Sequence, residues 1–174
     1  MDRIERRQFM KGAALGALAF TVGGADVLLT PREARAQGVP LRMLGPEEAR
    51  TLEALGETLV PTARQAGIVH FVDHQLSVPP EEALLEARIL NVRPPFVNFY
   101  RAALAAVDRA SQAHNGGRSF ADLDPAGQHD FVDRMRQNRI DGWQGPPGGF
   151  VYLVTRSDAV DVVYGTMDGY AGLD

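Results

Sequence analysis

The sequence predicts an all-α protein, a single small helical domain of about five or six helices behind an N-terminal signal segment. Three observations carry that prediction. Apolar residues recur at three- and four-residue spacing through most of the chain, proline-led starts and Gly or Pro stops divide it into helix-length pieces, and no strand-like run finds an obvious partner. Residues 1–36 read as the signal segment and 37–174 as the helical domain.

The leader comes first. It opens MDRIERRQFMKGAALGALAF, with basic residues ahead of an apolar, small-residue run from Gly12 to Ala25. A basic start, an apolar stretch and a small-x-small exit make up a secretory signal. Ala34 and Ala36 supply the small pair, so cleavage is expected between Ala36 and Gln37. The run is too short and Gly-rich for a comfortable bilayer span, which leaves retention as a membrane anchor as the weaker alternative. ERRQFMK resembles the twin-arginine export signal at Arg6, Arg7, Phe9 and Lys11, and departs from it at Glu5 and Met10. An ordinary n-region of the general secretory route with paired arginines is the competing reading. The twin-arginine route carries folded cargo, often built around a cofactor.

Removing the leader leaves 138 residues, a length that suits one domain with one sizeable core. Six of the 18 basic and four of the 22 acidic residues lie in the leader, so the remainder carries 12 against 18, a net charge of −6. That balance argues against nucleic acid, whose phosphates demand a basic face. The absence of cysteine removes disulfides, thiolate metal sites, iron–sulfur clusters and covalently attached haem.

Within the domain, Pro46 stands at a first helical position with Glu47 and Glu48 in the first turn, and Ala49, Leu52, Leu55 and Leu59 form the apolar stripe up to Pro61. IVHFVDHQLS follows as a second, short helix, with Ile68, Phe71, Val72 and Gln75 on one side and His70, Asp73 and His74 on another. An acidic, Leu-rich piece from Glu81 to Leu90 leads to the longest helix. That helix starts after Pro94-Pro95, ends at Asn115-Gly116, and carries Phe96, Val97, Tyr100, Leu104 and Val107 on its stripe. Asp124 before Pro125 is a cap-then-proline start for the next, with Phe131, Val132, Met135 and Ile140 apolar. WQGPPGG is a loop. FVYLVTRSDAVDVVYG is rich in β-branched and aromatic residues, yet its length and the spacing of Phe150, Leu153, Val154, Val160 and Val163 favour a helix, since a lone strand would leave its backbone unpaired.

Few residues offer chemistry. His70 and His74 stand four apart, the helical spacing that lets two imidazoles reach one metal, and they are the weak metal candidates. Phe71 stands where a zinc protease needs Glu, and no third ligand is evident, so two histidines on a solvent or partner face is the better reading. No nucleophile elbow, phosphate loop or dinucleotide fingerprint is present. Asp158 and Asp161 form an i, i+3 carboxylate pair, read as a solvated or partner-facing edge in preference to an acid/base pair. The sequence therefore names no catalytic and no cofactor-binding residue. Trp143, Phe150, Tyr152, Tyr164 and Tyr170 crowd around glycines and prolines, as interface anchors do. Trp143, Pro146, Pro147, Tyr152 and Tyr164 are the expected partner surface, the alternative being that Trp143 and Phe150 cap the protein's own core.

LEALGETLVP, AGIVHFVDHQL and above all GPPGGFVYLVTRSDAVDVVYGTMDGY resemble the gluconate 2-dehydrogenase subunit 3 family, the small (gamma) subunits of membrane-associated dehydrogenase complexes. The likeness spans about Leu52 to Tyr170. Members are expected to continue past the YGT-x-x-G block into a Pro- and aromatic-rich tail, beyond the Asp174 at which this sequence stops. The resemblance implies a large subunit similar to glucose–methanol–choline flavoproteins, which binds FAD and oxidises a sugar, sugar acid or alcohol, and a separate membrane-bound cytochrome c as acceptor. It implies no catalytic residue here. The resulting expectation is a non-catalytic subunit and export escort, located in the periplasm or at the periplasmic face of the inner membrane after passage through the twin-arginine translocase. The alternatives are a small periplasmic metal-dependent hydrolase using His70 and His74, or a free-standing periplasmic binding module.

Overall fold

A computed structural model describes residues 16–165 of the chain. The protein is mainly helical, as the periodicity predicts. Its helices are α1 (Pro31–Ala36), α2 (Pro46–Leu59), α3 (Ala63–Ala66), α4 (Ile68–Ser77), α5 (Glu86–Ile89), α6 (Phe96–His114), α7 (Pro125–Arg136) and α8 (Gly148–Tyr164), with a 3₁₀ turn at Phe120–Asp122. The long helices begin where the sequence says they should. Glu48 reaches back to the Gly45 amide at 2.7 Å to open α2, and Asp124 accepts from the Gly127 amide at 2.7 Å to open α7.

Three helices, α2, α6 and α8, run between two packed clusters and join them. Leu52 of α2, Tyr100 and Leu104 of α6, and Val154 and Val162 of α8 belong to one cluster with Ile68 and Val72 of α4. Leu55, Val107 and Val151 of the same three helices belong to the other, with Phe120, Phe131 and Met135. Phe120 and Phe131 meet with ring centroids 5.3 Å apart. The ambiguous segment is a helix, and apolar residues fall on nearly every side of it.

Two differences from expectation concern the short elements. There are eight helices among the described residues instead of five or six, the additional ones being the short α1, α3 and α5. A strand pair also exists where none was expected. β1 (Leu18–Val22) and β2 (Ala25–Leu29) form an antiparallel hairpin around Gly23-Gly24, both at positive φ (+58° and +86°). Consecutive residues at positive φ match the right-handed twist of a two-residue hairpin, and a Gly-Gly pair supplies them without steric cost. These residues were read as the second half of the leader's apolar run, so the turn signal inside it went unused.

The boundary expected after Ala36 accordingly falls inside packed structure. Phe20, Leu29, Ala34 and Val39 form a third cluster, bridged by Leu18 to the first. The hairpin and α1 together lie as a strap over α3 and α4. Arg6, Arg7, Phe9 and Lys11, which carry the export reading, lie outside the described residues, as does Tyr170.

Candidate partner surface

The expected partner residues are divided by α8. At its N-terminal end the loop that carries Trp143 folds on itself, the indole Nε1–H donating to the Pro146 carbonyl at 2.7 Å. Trp143 and Tyr152 are half-buried and pack against the second cluster. Pro146 is half-buried and Pro147 exposed. A small cleft of about 80 Å³ opens there, lined by Met135, Asn138, Ile140, Trp143, Pro147 and Gly148. Tyr164 stands at the other end of α8, some 16 residues and roughly 24 Å along the axis, and is 39 % exposed.

The glycines of this block have a packing role that the sequence did not disclose. A Cβ on Gly148 would lie 2.8 Å from the Met135 carbonyl oxygen, and one on Gly149 2.9 Å from that of Arg136. The start of α8 thus sits backbone-to-backbone on the end of α7, and Asn138 caps the junction by accepting from the Gly149 amide at 2.9 Å. Phe150 meets Phe99 edge-on at 5.6 Å and closes the same corner from the inside.

Between the ends, α8 presents an apolar stripe to the outside. Leu153 (44 % exposed), Ser157, Val160 and Tyr164 follow one another at i, i+4, i+7 and i+11, one line on a helix surface. The spacing that predicts the helix does not say which face is covered, because the helix is apolar all round; Leu153 is exposed, whereas Val160 is half-buried against the first cluster. The neighbouring α5 region adds Leu84 and Ile89, exposed by 57 % and 64 %. Scattered apolar residues on a surface are ordinary, whereas contiguous ones are the form that partner-binding faces take.

Asp158 corrects the expectation of an acidic edge. It is fully buried, accepting from the Tyr100 hydroxyl at 2.5 Å and from the Glu86 amide at 3.0 Å, so that one carboxyl ties α8 to α6 and α5. Burial pushes its pKa up to about 7 against the two hydrogen bonds, with Asp161 and Glu86 adding repulsion. Asp161, on the more open side, is raised by partial burial and by Glu86. Both carboxyls are thus biased toward the neutral form.

The two histidines hold the strap. His70 Nε2 lies 3.0 Å from the Val39 carbonyl oxygen, and His74 Nε2 lies 3.1 Å from that of Ala19. Phe20 stacks obliquely on His74 at 5.1 Å. Burial lowers both pKa values, the carbonyl contacts opposing it. Asp73 between them is buried, contrary to its expected place on an outer face. It accepts from the amides of Arg42, Met43 and Leu44, each at 2.8 Å. Among the described residues no group of three or more His, Cys, Asp or Glu side chains is arranged to hold a metal. Each imidazole uses Nε2 on a backbone carbonyl and keeps Nδ1 buried without a hydrogen-bond partner. Nor is any described helix long and apolar enough to cross a membrane.

Residues 46–168, more than half of the chain, match the family model described as gluconate 2-dehydrogenase subunit 3. No curated protein and no solved structure matches the chain.

Proposed function

Since the chain belongs to the gluconate 2-dehydrogenase subunit 3 family, and is thus a subunit of a dehydrogenase complex, we propose that it is the non-catalytic small subunit that binds the catalytic one and accompanies it out of the cytoplasm. The catalytic partner in this reading is an FAD-containing flavoprotein of the glucose–methanol–choline type acting on a sugar, sugar acid or alcohol. A membrane-bound cytochrome c with haem c takes the electrons. The complex works in the periplasm or on the periplasmic face of the inner membrane, reached by the twin-arginine translocase through Arg6, Arg7, Phe9 and Lys11.

The observation that carries the docking part is the exposed apolar line on α8. Leu153 and Tyr164 are exposed and belong to neither core cluster, Val160 between them is half-buried against the first, and the opposite side of the same helix is core. Covering such residues in a complex removes apolar surface from water at about 25 cal/mol per Å², and large aromatic anchors concentrate the effect.

Trp143 is a poor probe of this idea, because truncating it would also remove packing from the second cluster. Exposed positions serve better. Leu153→Glu combined with Tyr164→Glu should leave circular dichroism and thermal midpoint near those of the parent, while the flavoprotein no longer co-purifies. Retained co-purification with the double variant would remove α8 as the docking face.

A further inference from the structure

We propose that Leu18–Ala36 is a permanent structural part of the mature subunit, and that the folded protein itself withholds the Ala36–Gln37 bond from the signal peptidase. Any cleavage then falls upstream of Leu18. This rests on the reading of the protein as exported already folded, since a chain threaded unfolded would meet the peptidase before the strap forms.

The local conformation argues first. Proteolysis favours exposed, irregular backbone at loop tips. Here the small-x-small pair is helical. Thr30 and Glu33 form a reciprocal cap at the start of α1, with the Thr30 amide donating to Glu33 at 2.8 Å and the Glu33 amide donating to Thr30 Oγ1 at 3.2 Å. The scissile amide itself is engaged, the Gln37 N–H donating to the Glu33 carbonyl at 2.9 Å, and the helix is closed by the Val39 N–H on the Ala34 carbonyl at 3.0 Å. Ala34, one of the two residues a peptidase must read, is 0 % exposed, while Ala36 and Gln37 lie at the surface, so the bond is withheld by the burial of Ala34 and by the helical backbone.

The attachment argues second, since reaching that bond requires lifting the whole strap. Gly67 faces the backbone of Pro31 so closely that a Cβ there would collide with the Pro31 carbonyl oxygen, so α1 rests directly on the α3–α4 junction. Arg35 pairs with Glu53 of α2 at 3.2 Å, and Arg42 bonds to Thr21. His74 and His70 hold the carbonyls of Ala19 and Val39 on either side of α1. An open cleft of about 230 Å³ between the strap and the body is lined by Arg35 and Leu41 on one side and by Arg50, Glu53, Arg64 and His70 on the other. Cutting at Ala36 would remove Phe20, Leu29 and Ala34 from their cluster and leave His74 facing water.

Two measurements on the protein decide this. The chain isolated from its producing host, or from a host that exports it, is sequenced from its N-terminus and weighed intact. The proposal expects Leu18–Ala36 to be present in the periplasmic chain, and a mature N-terminus at Gln37 overturns it. Recovery from the cytoplasm alone would speak against the export reading, and the second measurement then decides the strap by itself. A chain made directly as residues 37–174 should show a thermal midpoint at least about 5 °C below that of the full chain. Equal midpoints would show that the strap contributes nothing and would overturn the proposal.

Discussion

Asp158 and the histidine pair pull the pH dependence of stability in opposite directions. The Asp158 carboxyl is raised in the fold from 3.8 to about 7, so the folded state holds its proton where the unfolded chain has released it. Its contribution is fully present below the unfolded value and is lost as pH rises through about 7. A shift of that size corresponds to about 4 kcal/mol between the two limits. Asp158→Asn keeps the shape without the charge, and chemical denaturation should show the decline between pH 4 and pH 8 largely abolished. A decline unchanged in the variant would assign it to other groups. For His70 and His74 the folded values are lowered, so their contribution is present above 6.5 and lost as pH falls through the folded value. Since both clip the strap, the amides of β1 and β2 should lose hydrogen-exchange protection at pH 5 relative to pH 7.5 after correction for intrinsic rates. Equal protection at both pH values would remove the histidines from that role.

At the scale of elements, the junction of α7 and α8 is the most exacting contact. Gly148→Ala places a methyl 2.8 Å from a carbonyl oxygen that cannot retreat without moving α7. Overpacking of this kind costs about 1–3 kcal/mol, and a thermal midpoint unchanged in the variant would show that the junction yields. Most of the helices were legible in the sequence because Pro46, Pro95, Asp124 and the stripes they begin all agree. The function of GPPGG was legible only as unusual composition, because the residues that exclude a side chain at Gly148 and Gly149, namely Met135 and Arg136, are known only once α7 and α8 meet. The hairpin was hidden for another reason. An apolar small-residue run after basic residues satisfies the signal pattern and the strand pattern alike, and Gly23-Gly24 was absorbed into the first. The outward turn of Leu153 could not be read from a helix that is apolar on all sides.

For the whole molecule, the account joins an acidic domain with two fused cores, a strap that covers one end, and an apolar helix face that the fold leaves open. Such a chain has the form of a binding partner. Its family places it in a dehydrogenase complex, and the export signal proposed at Arg6 and Arg7 gives the proposed reason for its presence there. The most direct test fractionates cells and follows the flavoprotein partner. With the wild-type small subunit the partner should be periplasmic. In a strain deleted for this chain, and in one where Arg6 and Arg7 are both lysine, the partner should remain in the cytoplasm, because the guanidinium pair is not replaceable by ammonium groups at such a recognition site. Arrival of the partner in the periplasm at wild-type levels in the deletion strain would contradict the escort account.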